Sequence, residues 1–382
     1  MAKQKTDLSR AFSEDGAKKT HVGGQALIEG IMMRGKYNWA VAVREPSGSI
    51  YLEEHDLSSG RKKNGWMYWP LIRGCRALVE SLILGYKALE IAALHAFADE
   101  AEEEEPQVAS PHDGAPHADA SQVDAPQTAA PKESFMDKEV EFGKKEMAIS
   151  MVLGLVLGVG LFIVAPALIT NLIVGEYDGN TVLWNIVDGL LRVVVFVFYI
   201  WLIGRMKDIK RMFGYHGAEH KTIHCYEHGL PLTPENARSF PRLHVRCGTA
   251  FLIMVMVIAI FIYTITPLNA LIAAWGVPDG APKLLLVILV RIALMPLIAG
   301  ISYEITVRWA GSHPENPLVK MVLWPGMQMQ YLTTNEPDDG QIECAIAAMQ
   351  RVLEREQHEA DAAALAADAP KPAADTTAAT PA

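Results

Sequence analysis

Four stretches of the chain are almost unbroken in apolar residues: Met147 to Val174, Val182 to Gly204, Gly248 to Thr266 and Leu284 to Trp309. Each is long enough as a helix to cross a hydrocarbon core of about 30 Å. The pattern elsewhere is different. Trp39 to Arg44 and Ser49 to His55 alternate in part around Pro46-Ser47-Gly48, which predicts a β-hairpin. From Trp66 to about Phe97 the spacing turns helical, with Leu71, Leu78, Leu82 and Leu89 interrupted by Arg73, Arg76, Glu80, Lys87 and Glu90. Too many charges fall there for a span. Either an amphipathic helix in the membrane interface, with Trp66 and Trp69 at headgroup level, or a packed helix of a soluble region accounts for it.

The fold class expected is therefore a mainly α-helical polytopic membrane protein. About four transmembrane helices join a small cytoplasmic α+β region with a β-hairpin. Residues 1–20 read as disordered, and 21–98 as the cytoplasmic N-terminal region. Residues 99–131, rich in Ala, Glu, Asp and Pro, form a linker with almost no large apolar side chain to bury. The membrane domain takes 132–310, with a cytoplasmic histidine loop at 205–247. A cytoplasmic segment at 311–357 holds a helix from Pro337 to Gln357, and 358–382 read as a disordered tail.

Charge refines this picture. Of the 382 residues half are apolar, and the net charge of −10 comes largely from tails and linkers. No basic patch interleaved with aromatics appears, so nucleic acid is not an expected partner. Residues 205–246 carry eight lysines and arginines, whereas 175–181 and 267–282 carry none before the span that follows. The positive-inside rule then puts both termini and the histidine loop in the cytoplasm of a bacterial plasma membrane, where lipid is the expected partner. Cys75, Cys225, Cys247 and Cys344 have no paired spacing and lie mostly on the reducing side, so no structural disulfide is expected.

The chemistry gathers after the second span. His216-Gly-Ala-Glu219-His220 is followed by His224-Cys-Tyr-Glu227-His228, two copies of His-x-x-Glu-His. On a helix the four histidines stand one above another with a drift of about 40° per step, and both glutamates lie beside them. That stripe has the ligand types of zinc, iron or manganese. The spacing is that of the inverted zincins, in which two histidines hold zinc and the glutamate activates water. A solvated or self-paired helix face is the plainer alternative. Next, Arg242-Leu-His244-Val-Arg246-Cys247 leads into the third span. His244 is a further candidate ligand. At a helix amino end beside Arg246, Cys247 reads as a ligand thiolate, as a nucleophile, or as a small residue where helices approach. Inside the spans, Asp188 and Arg192 stand four apart and are expected to pair. Glu304 lies close enough to the cytoplasmic end of its helix to be a further candidate ligand.

These motifs, with Gly24-Gln25-Ala-Leu-Ile-Glu29-Gly30-Ile-Met-Met-Arg34, Gly300-Ile-Ser-Tyr-Glu304 and Leu332-Thr-Thr-Asn-Glu336-Pro-Asp-Asp339, resemble the YqhQ-like family of bacterial membrane proteins. The resemblance covers roughly residues 21 to 355 without the linker, and it implies a metal-dependent enzyme. The family pattern carries the first three histidines and Glu227 but not His228. Glu219 is thus the candidate catalytic base, and His216, His220, His224 and Glu227 are the candidate ligands of a divalent metal, zinc first. Hydrolysis of a peptide or lipid-linked group would follow, with Gln25, Glu29, Arg34 and Arg246 as polar contacts. A membrane scaffold or metal or pH sensor, and then a transporter, are the other readings.

Overall fold

A computed structural model describes residues 7–13, 20–57, 65–97, 144–310, 312–313 and 316–368. The linker at 99–131 lies outside them, as does the chain beyond 368.

Strands β1 (Gly23–Leu27), β2 (Gly30–Arg34), β3 (Asn38–Arg44) and β4 (Ile50–Asp56) form an antiparallel meander in that order. The expected hairpin is β3–β4. Ahead of it, the glycine-rich Gly24 to Arg34 stretch is a second hairpin, turning at Ile28 and Glu29, where Glu29 takes φ 48°. Periodicity missed it because Gly30, Ile31, Met32 and Met33 are all buried, so β2 shows no alternation.

Both faces of the sheet are covered. Helix α1 (Asp7–Ser13) precedes it and α2 (Ile72–Ala96) follows. Leu27, Met32, Trp39, Val41 and Val43 pack on Leu84, Ala88, Ala92 and Ala96 of α2. Ile31, Met33, Ala40 and Ala42 face the other way, onto helices described below. A fully buried aliphatic side chain of this kind contributes about 1.5–3 kcal/mol. Helix α2 is the packed helix of the two descriptions, with an apolar face left exposed. It is packed along one side, yet Leu78, Val79, Leu82 and Ile83 stay exposed on the other.

The apolar helices come next. Helix α3 (Lys144–Val159) passes through a π-helical turn at Gly160–Val164 into α4 (Ala165–Val174). That widened turn precedes Pro166, which has no N–H to donate. Then come α5 (Thr181–Ile203), α6 (Lys207–Glu227), α7 (Pro234–Arg238), α8 (Gly248–Ile265), α9 (Leu268–Trp275) and α10 (Ala281–Tyr303), the last continuing as a π-helical segment, Glu304–Ala310. Three stretches, Ile149–Val174, Thr181–Ile203 and Ala281–Ala310, are long and apolar enough to cross a membrane. A fourth exists if Phe251–Ile265 and Leu268–Trp275, bent by 47°, count as one. The segment from Pro267 to Pro282, read from sequence as a loop, is therefore partly helical. Pro267 breaks the helix, and the apolar run resumes as α9, packing Leu268 and Ile272 near Trp184 and Val287.

Charge inside these helices is paired. The Asp188 carboxylate, 1% exposed, meets Arg192 Nε at 2.9 Å and the Arg291 guanidinium, which also donates to Asn185 Oδ1. The Trp184 and Tyr263 rings lie 4.6 and 4.4 Å from Arg291.

Two helices close the chain, α11 (Pro317–Thr333) and α12 (Asp339–Asp368). The latter covers the expected terminal helix and runs past Gln357, where Ala and Glu keep helix propensity high. Part of the segment read as disordered at the amino end is also helical: Ala11 of α1 is buried against Leu243, Val245 and Met327.

Candidate metal centre

Helix α6 starts at the extended Met206 and stops at His228, before Gly229 at φ +71°. From Gly214 to Cys225 all of its residues but His216, which is half-buried, are buried. So polar a helix can be buried only if its side chains find partners. Two straps supply them.

Residues 238–244 run beside α6 and offer it carbonyl groups. His220 Nδ1 donates to Arg242 O at 2.6 Å, and His224 Nε2 to Leu243 O at 2.9 Å. Lys221 Nζ donates to Phe240 O at 2.7 Å and Arg238 O at 3.0 Å, and pairs with Glu336. Residues 333–337 form the second strap. His216 Nδ1 donates to Thr333 O at 2.8 Å, and the Asn335 N–H to Phe213 O at 2.8 Å. Gly217 lets this strap approach, because a methyl there would drive into the Asn335 carbonyl oxygen. The Leu332 to Asp339 motif thus has a structural meaning: it holds the histidine helix.

These bonds fix each ring and leave its other nitrogen facing inward, the usual outer arrangement of metal-bound histidine. His220 Nε2 and His224 Nδ1 are buried with no hydrogen-bond partner. Two groups of candidate ligands result. His216, His220 and Cys247 have ligand atoms all within 4.8 Å of one another, as do His224, Glu227 and His244. His216 Nε2 lies 3.2 Å from Cys247 Sγ. A tetrahedral zinc site would hold its donors roughly 3.3–3.7 Å apart, so the first group needs only small adjustments.

The groups differ in charge. In the second, Glu227 is saturated. Its Oε1 accepts from the Thr20 N–H at 3.1 Å and from Arg246 Nη2, and its Oε2 lies 3.4 Å from His244 Nε2. Burial pushes His224 down to about 4, against the opposing pull of its bond to Leu243 O. Burial, with His224 and Arg246 nearby, holds His244 well below its ordinary value. In the first group burial would raise the Cys247 thiol, but His220 and His216 outweigh it and draw it well below the usual range. Burial likewise lowers His216, and the Cys247 thiolate overcomes this to lift it to about 9. Glu219 sits beside them, its Oε1 accepting from the Gly24 N–H at 2.9 Å. Burial raises its pKa more than His216 and His220 lower it.

The remaining sequence candidates fall as follows. Gln25, Arg34 and Arg246 line a cavity of about 660 Å³ with Glu219, His220 and Cys247. Glu29 does not line it and instead pairs with Arg211, which holds the β1–β2 turn to α6. Glu304 is likewise elsewhere. Arg73 of α2 grips both its oxygens, and the Leu71 N–H donates to it at 3.3 Å. His228 caps α6 and bonds His224 O. Gln330 was not singled out from sequence. Fully buried in α11, it clamps the backbone of His244, accepting from its N–H at 2.8 Å and donating to its carbonyl at 2.9 Å. The available signal was an amide between the apolar Met329 and Tyr331.

Residues 69–355 match the model of a family described as protein of unknown function DUF1385. The chain belongs to that family. It is also 31% identical over 342 residues to the "Uncharacterized protein YqhQ" of Bacillus subtilis (strain 168), a match covering 87% of this chain and 92% of the relative. No solved structure matches.

Proposed function

We propose that this chain is an integral membrane, metal-dependent hydrolase whose site faces the cytoplasm. The observation that carries the reading is the convergence of His216, His220 and Cys247 within 4.8 Å, with the two rings held by carbonyl groups on their far nitrogens. Two nitrogens and a thiolate suit zinc, and three protein ligands leave a coordination position for water, as in catalytic sites. Zinc so held would acidify water and polarise a carbonyl or phosphoryl oxygen. Glu219 accepts the proton. Burial raises its pKa, which strengthens it as a proton acceptor, and the Gly24 N–H orients it. The second group serves as support, since Arg246, His244 and the Thr20 N–H already engage Glu227.

The second reading is a cysteine nucleophile, favoured by the 3.2 Å contact of Cys247 Sγ with His216 Nε2 at the amino end of α8. Metal analysis separates the two. Protein purified without chelator is expected to carry one zinc per chain, lost in Cys247→Ser and His220→Ala. Metal-free wild type with Cys247 rapidly alkylated by iodoacetamide would replace the hydrolase with the thiol enzyme. The orientation follows from the basic stretch between α5 and α8. An export-dependent reporter fused after Pro231 should be silent, and its activity would put the site on the other side of the membrane.

A further inference from the structure

The first ligand group stands in a wall between two cavities that differ in charge. One, of about 660 Å³, is the more polar, and its lining includes the cations Arg34, Lys36 and Arg246 but a single carboxylate, Glu219. Arg34 and Arg246 are oriented by Glu80 and Glu227, neither of which lines it. The other, of about 470 Å³, is walled largely by Phe196, Ile200, Met212, Phe213, Leu252 and Met329. Both volumes fall within the range of small-molecule sites, about 300–1,000 Å³. Gly24, Gln25, Glu219, Cys247 and Gly248 line both cavities. Gly24 lets β1 pack closely against Glu219 at this shared wall. A side chain on Gly24 would strike Glu219 and the Met32 carbonyl, and Gly248 faces open space.

Phe196 and Ile200 belong to α5, a candidate span, and Leu252 to α8, part of the bent pair that could make a fourth. Around them Val194, Phe198, Leu202 and Leu252 itself are exposed. The apolar cavity therefore lies beside helices whose exposed faces suit hydrocarbon.

We propose that the substrate is a lipid with an anionic phosphate headgroup, its chain in the Phe196–Leu252 cavity and its headgroup beside Arg34, Lys36 and Arg246, so that the scissile bond reaches Glu219 and the metal group. Guanidinium groups favour phosphate through paired donors, and the apolar cavity accounts for the chain. The proposal rests on the metal reading of His216, His220 and Cys247.

The test uses the full chain in nanodiscs with dodecyl phosphate carrying a diazirine at its chain end. Photolysis should label the walls of the apolar cavity, and excess plain dodecyl phosphate should prevent it. Each buried methylene is worth roughly fourfold in affinity, so butyl phosphate should compete at least about a hundredfold less well even if only four of the eight missing methylenes are buried. Leu252→Trp fills the cavity without replacing any candidate ligand and should remove that labelling while metal content stays unchanged. Leu172→Trp, on a lipid-facing surface, should leave the labelling intact. Labelling confined to outward faces, or unchanged by Leu252→Trp, would overturn the proposal. Competition by inorganic phosphate as strong as by dodecyl phosphate would assign the polar cavity to free phosphate instead. Metal content is read on the same samples: metal without cavity labelling defeats the lipid assignment alone, and cavity labelling without metal defeats the metal reading alone.

Discussion

Glu219→Gln is expected to retain full metal and lose about 10²- to 10⁴-fold in activity, the usual worth of a positioned proton acceptor. The amide can still accept from the Gly24 N–H, so the helix and the β1 strand stay together. What it cannot do is take a proton. His220→Ala should behave differently, because it removes a proposed ligand and leaves the Arg242 carbonyl without its donor. Metal should then be lost along with activity. His228→Ala should be nearly silent, since that side chain is exposed at the end of α6 and its main bond is to its own helix. The three variants and wild type would be compared by metal content after dialysis against a weak chelator, and by rescue of a strain lacking the chain. Full rescue by Glu219→Gln with metal present would replace hydrolysis by a sensor or scaffold role.

Asp188→Leu should be the most damaging substitution within the long apolar helices, costing about 3–5 kcal/mol, the range for breaking a buried ion pair from one side. Asp188 is the carboxylate that Arg192 and Arg291 share, and its removal leaves two buried guanidinium groups facing each other. Arg291→Met should cost less, although it deletes a larger side chain. The Asp188–Arg192 pair survives it, and methionine keeps apolar contact with Trp184 and Tyr263, which now flank the guanidinium. Thermal unfolding of the purified, detergent-solubilised variants gives the order directly. Equal melting temperatures for the two would show that Asp188 is not the hub of this cluster.

Much of this architecture is legible in local pattern. The long apolar runs identify the spanning candidates because crossing a hydrocarbon layer demands length and apolarity from consecutive residues. The β3–β4 hairpin shows through its turn residues, and α2 through its helical spacing. The two His-x-x-Glu-His copies mark α6 as the site, because residues four apart on a helix share a face whatever surrounds it. Other features left no such trace. Strand β2 is buried on both sides and so does not alternate. Helix α9 hides behind Pro267, whose break resembles a loop boundary, and α1 gains its place by packing on residues more than two hundred positions away.

The sequence by itself determined that most of the candidate ligands ride one helix beside long apolar helices. It could not decide how they group. Helical geometry alone strings His216, His220, His224 and Glu227 along one stripe. Tertiary structure divides the stripe, bringing Cys247 to His216 and His220, and His244 to His224 and Glu227. Glu304 is drawn away by Arg73, and Glu29 by Arg211. The reason is physical. A helix fixes the neighbours of a residue within a turn or two, whereas the third ligand, the carbonyl groups that orient each imidazole and the two cavities come from segments that meet α6 only when the chain packs.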